Sequence, residues 1–265
     1  MRLLRLLLIP AVILWTAFAP WPGSEKLVEI PSRGRMVRAL ELRPEKPVAS
    51  VILFAGGSGD LGLTADGREM SLSFNQLVRS RFGYRQESLA TLVPDLASDL
   101  KGSANARQSA KHAQDIGALV KYMRAIATPV VLVGTSRGSL SVANAVANLA
   151  EDERPDAMVL TSAFLLGGGD SVQNIARKEP QRLAVPTLVI AHRDDQCRFT
   201  SPRQVEPFRR WLSAAEPNVK TIIMEGGQAG GGNPCEANSP HGFIGLDEQV
   251  VAAISQWIKA LPKGI

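Results

Sequence analysis

Pro129-Val130-Val131-Leu132-Val133-Gly134-Thr135-Ser136-Arg137-Gly138-Ser139-Leu140 restricts what this chain can fold into more than any other stretch. Val130 to Val133 are four consecutive β-favouring apolar residues. The run is too short for a helix and has no polar face, as a strand covered on both sides of a parallel sheet requires. From Arg137 to Ala150 the chain becomes Ala- and Leu-rich, with Leu140, Ala143, Val146, Ala147 and Ala150 on one helical stripe. Between the two lies Gly-x-Ser-x-Gly. Gly134 and Gly138 lack a Cβ, so strand and helix can approach closely while Ser136 takes a sharp, strained turn with its hydroxyl exposed. Main-chain N–H groups at the start of the helix then face the point where a negative oxygen would develop. With a strand before it and a helix after it, the motif reads as a nucleophile elbow rather than an accident of a glycine-rich chain.

The rest of the chain fits a sheet around that turn. Leu27–Ser32 and Met36–Pro44, separated by Arg33-Gly34-Arg35, read as an antiparallel hairpin. Ala49–Phe54, Ser88–Val93, Ala157–Phe164, Val185–Ala191 and Val219–Glu225 read as further strands. Helices are expected over Glu69–Arg81, Ala106–Ala127, Ser201–Ala215 and Asp247–Ala260, with a short one over Val172–Arg177. After the hairpin, strand and helix alternate throughout. That predicts an α/β fold with a mostly parallel central sheet and helices on both faces.

The chain has 265 residues, 45% of them hydrophobic, enough for one sizeable core, and no internal repeat is apparent. The expected organisation is a leader over residues 1–19, a linker over 20–26 and one domain over 27–265. Arg2 and Arg5, the apolar stretch Leu6–Phe18 and the small-x-small Ala17-Phe18-Ala19 resemble an export signal, cleaved or retained as an N-terminal anchor. An exported location, periplasmic or secreted, follows as an expectation. The formal charge is +5, of which Arg2 and Arg5 account for two. The remaining +3 and the lack of basic runs interleaved with aromatics argue against nucleic acid.

A serine hydroxyl is a weak nucleophile near neutral pH and needs a base within hydrogen-bond reach. The chain has three histidines. His112, mid-helix, reads as a solvated face residue. His192, at a strand end, reads as structural or as part of the site rim. His241 sits in the Gly/Pro-rich loop after the last strand, where catalytic groups of open parallel sheets gather, and is the expected base. The carboxylate that orients it should lie between residues 136 and 241. Asp152 and Asp156 precede a strand, at the wrong end of the sheet. Asp170 lies in a glycine-rich loop that reads as the access rim. Asp194 and Asp195 follow a buried strand; Asp195 is preferred, with Asp194 as a turn former or cap. The oxyanion donors are expected from the N–H of Arg137 and from the Gly56-Gly57-Ser58-Gly59 loop, at Gly57 and Ser58. That loop lacks the residues of a phosphate-binding loop. Three scattered histidines and no CxxC argue against a metal, and no cofactor is expected. In an exported protein Cys197 and Cys235, near Asp195 and His241, are expected to form a disulfide that ties the acid loop to the base loop.

The elbow Gly134–Gly138, the acid stretch Ala191–Cys197 and the base stretch Pro234–Phe243 resemble those of the α/β-hydrolase superfamily, in particular small exported bacterial members of undefined substrate. The resemblance covers roughly residues 30–260, and in that pattern the acid falls at Asp195. It implies a serine hydrolase of small-molecule esters, with Ser136, His241 and Asp195 as the triad. A peptidase or amidase on the same fold, and a catalytically silent binding protein, are the alternative readings. Ala55 ahead of the glycines departs from the His-Gly-Gly-Gly form of some esterases. Only 59 residues separate Ser136 from Asp195, too few for a large helical lid, so a minimal cap is expected. Aromatic residues are 5% of the chain, and no broad aromatic substrate platform is expected.

Overall fold

The structure is a computed structural model, and it describes residues 25–65 and 71–262. The expected leader over 1–19, most of the linker and the first two residues of the expected helix Glu69–Arg81 lie outside the described residues. Eight strands form one sheet: β1 (Lys26–Ser32), β2 (Arg35–Leu42), β3 (Ala49–Phe54), β4 (Leu89–Pro94), β5 (Val130–Thr135), β6 (Ala157–Thr161), β7 (Thr187–His192) and β8 (Val219–Met224). Their order across the sheet is β1-β2-β4-β3-β5-β6-β7-β8. β1 and β2 form the antiparallel hairpin, β2 joins β4 antiparallel, and every other pairing is parallel.

The helices are α1 (Gln76–Arg79), α2 (Arg81–Gln86), α3 (Ala110–Arg124), α4 (Gly138–Asn148), α5 (Val172–Ile175), α6 (Val205–Ser213) and α7 (Asp247–Lys259). Successive side chains of a strand point to opposite faces, which explains the unbroken apolar runs. Val130 and Leu132 of β5 enter the core formed with Ile116, Leu119, Val142, Val146 and Phe208 of α3, α4 and α6. Val131 and Val133 enter the other core, with Leu77, Tyr84, Val250, Ile254 and Ile258 of α1, α2 and α7. Among the described residues no helix is long and apolar enough to cross a membrane.

Three expectations are corrected. In the described part of the helix expected over Glu69–Arg81, residues 71–75 form turns, and the Asn75 side chain accepts from Leu77 N and starts α1 there; Phe74, expected on the buried face, is 82% exposed. The helix expected over Ala106–Ala127 is broken at Ser109, whose extended backbone (ψ 149°) and cap onto His112 N start α3 afresh after a 3-10 turn at 106–108. His112 itself is buried rather than solvated, with its Nε2 2.9 Å from Ser141 Oγ and its ring edge-on to Phe54. The helical stripe does not distinguish a solvent-facing from a core-facing histidine when small residues leave room for the ring.

β3 is followed in the chain by β4 on one side of it, and β5 by β6 on the other. The crevice between the carboxyl ends of β3 and β5 is therefore the point where the winding reverses, the usual place for a ligand in an open sheet. Two glycines allow its walls to touch. A Cβ on Gly138 would lie 2.1 Å from Phe54 O, and one on Gly134 would lie 2.5 Å from Gly138 O. Both obstacles are backbone, which cannot rotate aside. We expect Gly138→Ala to destabilise the fold by about 3 kcal/mol or more, at or beyond the top of the usual overpacking range. Thermal unfolding checks this against Gly168→Ala, where an added Cβ meets nothing within 4 Å.

Candidate active site

Ser136 follows β5 directly and holds φ +52°, a left-handed conformation that few side-chain-bearing residues adopt. Its N–H donates to Thr161 O at 3.0 Å and its carbonyl accepts from Ser139 N and Ser139 Oγ, so the turn is held from both sides. β3 and β5 pair in register with Phe54 opposite Gly134, which puts the loop starting at Ala55 beside Ser136. A Cβ on Gly56 would sit 3.1 Å from Ser136 Cβ and 3.2 Å from Asn75 Nδ2. Gly57 holds φ +60° and lines the same cleft as Ser136 and Arg137; Ser58 is exposed and lies outside that lining. Among the described residues the main-chain N–H groups of Gly57 and Arg137 have no hydrogen-bond partner.

His241 lies in a 3-10 turn at 240–242, capped by Ser239 Oγ, and is 4% exposed. Its Nδ1 is 3.0 Å from Asp195 Oδ2. A carboxylate accepts only, so Nδ1 carries the proton and Nε2 keeps its lone pair. Ser136 and His241 line one cleft, and neither His241 Nε2 nor Ser136 Oγ has a hydrogen-bond partner among the described residues. Asp195 is buried and both its oxygens are held: Oδ1 accepts from Cys197 N at 2.8 Å, and Oδ2 also accepts from Thr200 Oγ1 at 2.9 Å. Asp194, its exposed neighbour, does not meet His241; its N–H donates to His192 Nδ1. His192 Nε2 in turn donates to Gly226 O at 3.0 Å, joining the loops after β7 and β8. Asp170 binds Gln108 and Arg137 at the rim.

Cys197 and Cys235 form a disulfide that ties the loop of Asp195 to that of His241 and lines the same cleft. Two supports had no signal in the sequence. Thr200 Oγ1 lies 3.0 Å from His241 Nδ1 as well as bonding Asp195, so one hydroxyl braces both side chains. Arg79, from α1, donates to Phe74 O, Ala237 O and Gly242 O and to the Asp247 carboxylate, holding the base loop onto the opposite side of the cleft. An arginine and a threonine among many cannot be told apart before the loops are placed.

The cleft has a volume of about 460 Å³ and is lined on one side by Leu72 and Phe74, which follow β3. On the other side are Phe164 and Phe199, after β6 and β7, whose rings stack 5.4 Å apart and 9° from parallel. The expectation of no aromatic platform is corrected: the aromatics are few, but three of the eight phenylalanines are gathered here. Composition counts residues and says nothing of where they meet.

Sheet order, elbow and crevice define an α/β-hydrolase fold. Residues 92–214 match the family model described as serine hydrolase. Solved structures of the same fold include a predicted CIB-like hydrolase of Thermoplasma acidophilum, at 13% identity over 90% of this chain and 100% of that one, TM-score 0.61. An esterase of Pyrococcus furiosus matches at 14% identity over 89% of this chain and 92% of that one, TM-score 0.61. A dienelactone hydrolase of Anabaena variabilis matches at 15% identity over 89% and 96%, TM-score 0.58. No curated protein matches the chain in sequence.

The disulfide spans a sequence separation of 38 residues. For a loop of that size chain entropy gives roughly 3–4 kcal/mol. We expect reduction to lower Tm by about 10 °C, read by scanning calorimetry with and without a reductant. An unchanged Tm with two titratable thiols would contradict this.

Proposed function

We propose that the chain is a serine hydrolase of carboxylic esters, with Ser136 as nucleophile, His241 as base and Asp195 orienting His241. The observation that carries this reading is the His241 Nδ1–Asp195 Oδ2 contact of 3.0 Å, which leaves the lone pair on Nε2 free in a residue that lines one cleft with Ser136. Ser136 Oγ adds to the acyl carbon, its proton passes to Nε2, and the carbonyl electron pair moves onto oxygen. The N–H groups of Gly57 and Arg137 are the donors for that oxygen. The tetrahedral adduct collapses as the protonated imidazole delivers its proton to the leaving alcohol. Water then cleaves the acyl-enzyme by the same steps in reverse order of partners.

The apolar residues that line the cleft with Ser136, among them Leu72, Phe74, Phe164 and Phe199, suit an uncharged ester with a bulky apolar group. The disulfide supports reading residues 1–19 as an export segment, because such bridges persist outside the reducing cytosol.

A fluorophosphonate probe is expected to label wild type at Ser136 and to leave Ser136→Ala unlabelled but folded. Asp195→Asn should lower kcat by about 10³–10⁴, as loss of the orienting carboxylate does elsewhere, while Asp194→Asn stays within about threefold. Equal losses for the two would overturn the assignment of the acid to Asp195. On a p-nitrophenyl ester series, Phe199→Ala and Phe74→Ala should lower kcat/KM for hexanoate about tenfold more than for acetate. Faster turnover of aminoacyl amides than of any ester would replace the ester reading with a peptidase or amidase.

A further inference from the structure

Behind the loop that follows β3 lies a guanidinium that the mechanism above does not use. Arg107 sits in the 3-10 turn ahead of α3 and is 4% exposed. A charge taken out of water normally meets a counter-charge. Among the described residues Arg107 meets none. Nη1 donates to Ser141 Oγ at 2.9 Å. Nη2 donates to three consecutive carbonyls, Ala55 O at 2.6 Å, Gly56 O at 3.1 Å and Gly57 O at 3.2 Å. Nε is buried without a partner. The two carboxylates lining the same small internal cavity are already paired, Asp115 with Arg33 and Asp95 with Lys101. Burial, helped by the like charge of Arg137, pushes the guanidinium down to about 9, which leaves it cationic at neutral pH. His112, the other partner of Ser141 Oγ, is pushed down by burial to about 3 and adds no charge. Gly59 makes room for the arrangement, since a Cβ there would fall 2.6 Å from Nη2.

These carbonyls belong to the loop assigned above to the oxyanion. In a trans peptide the C=O of one residue and the N–H of the next point in opposite directions. Drawing the Gly56 and Gly57 carbonyls onto Arg107 therefore turns the N–H groups of Gly57 and Ser58 away from it, and Gly57 lines the Ser136 cleft. We propose that Arg107 is a positioning residue for the oxyanion hole: it fixes the peptide plane that aims Gly57 N–H at the acyl oxygen, and its unneutralised charge favours the negative oxygen. The inference rests on the hydrolase reading. A device that acts on charge appearing only as Ser136 Oγ bonds to carbon changes kcat and leaves substrate affinity alone.

The test compares wild type, Arg107→Lys and Arg107→Met, with Ile254→Val in the opposite core as a control for lost stability. Circular dichroism and thermal melts check folding. For each protein kcat and KM are measured on p-nitrophenyl acetate, and inhibition by an alkyl trifluoromethyl ketone is set against inhibition by the plain ketone. The fluorinated ketone forms an oxyanion adduct with serine; the plain one does not. For Arg107→Met we expect kcat to fall about 100-fold with KM within about threefold, and the fluorinated ketone to weaken in step while the plain ketone does not. Arg107→Lys, which keeps the charge without the planar fork, should recover about tenfold of that loss, and Ile254→Val should resemble wild type. A folded Arg107→Met with unchanged kcat, or with its loss confined to KM, overturns the proposal. If the methionine variant does not fold, the lysine variant decides: wild-type kcat and wild-type ketone selectivity overturn it. Wild type that takes up no fluorophosphonate at Ser136 removes the hydrolase reading, and this role with it; labelled wild type beside an unaffected arginine variant removes this role alone.

Discussion

The site depends on one close approach of main chain to main chain. At the end of β3 the Phe54 carbonyl occupies the space a side chain on Gly138 would need, and Gly134 accommodates the Gly138 carbonyl in turn. This contact lets α4 start hard against the sheet, directly after the left-handed turn that Ser136 holds. It also sets the loop after β3 beside the serine, so that the candidate nucleophile and candidate oxyanion donors come from adjacent strands rather than from one flexible segment. A single methyl group at either glycine would separate them.

The other half of the site is carried by long connections, and long connections are held only by what they touch. The segment between β8 and the turn containing His241 has no regular structure of its own. It is fastened by a disulfide to the Asp195 loop, by His192 to the end of β7, and by Arg79 to α1 on the far wall. These ties come from different parts of the chain, so no one local motion loosens the imidazole. Small displacements of a base are costly to catalysis, which gives so many tethers a physical purpose in the proposed mechanism.

Buried charge is handled in the same way at both ends of the site. The Asp195 carboxylate is surrounded by neutral donors and one imidazole, and the Arg107 guanidinium by neutral acceptors. Neither is cancelled by an opposite full charge at the usual salt-bridge distance apart from the imidazole itself. In the proposed mechanism their fields act on the cleft, where a positive imidazole and a negative oxygen would develop together. Exposed pairs such as Arg209–Glu206, by contrast, are screened by water and carry little weight.

Much of this was legible in the chain. Val130 to Gly138 announced a buried strand, a strained serine and a helix, because the period of the apolar residues and the absence of a Cβ are local properties. The alternation of strand and helix likewise implied the layered sheet, and the chain narrowed the acid to Asp194 or Asp195 with a preference for Asp195, which only the fold could settle. Local pattern failed where contact at a distance decides. Asn75 and Ser109 started helices inside stretches read as continuous, because a side chain that caps is also one a helix can carry. His112 reads as a surface residue of an amphipathic helix until α4 closes over it, and nothing in the local pattern singles out Arg107 beside it. Sequence by itself thus determined the fold class and a short set of candidate site residues, since those follow from spacing and residue type. Tertiary structure alone decided which aspartate meets His241, where the phenylalanines gather and that a buried arginine grips the loop beside Ser136. Those facts depend on distances between segments far apart in the chain, and no local periodicity records such distances.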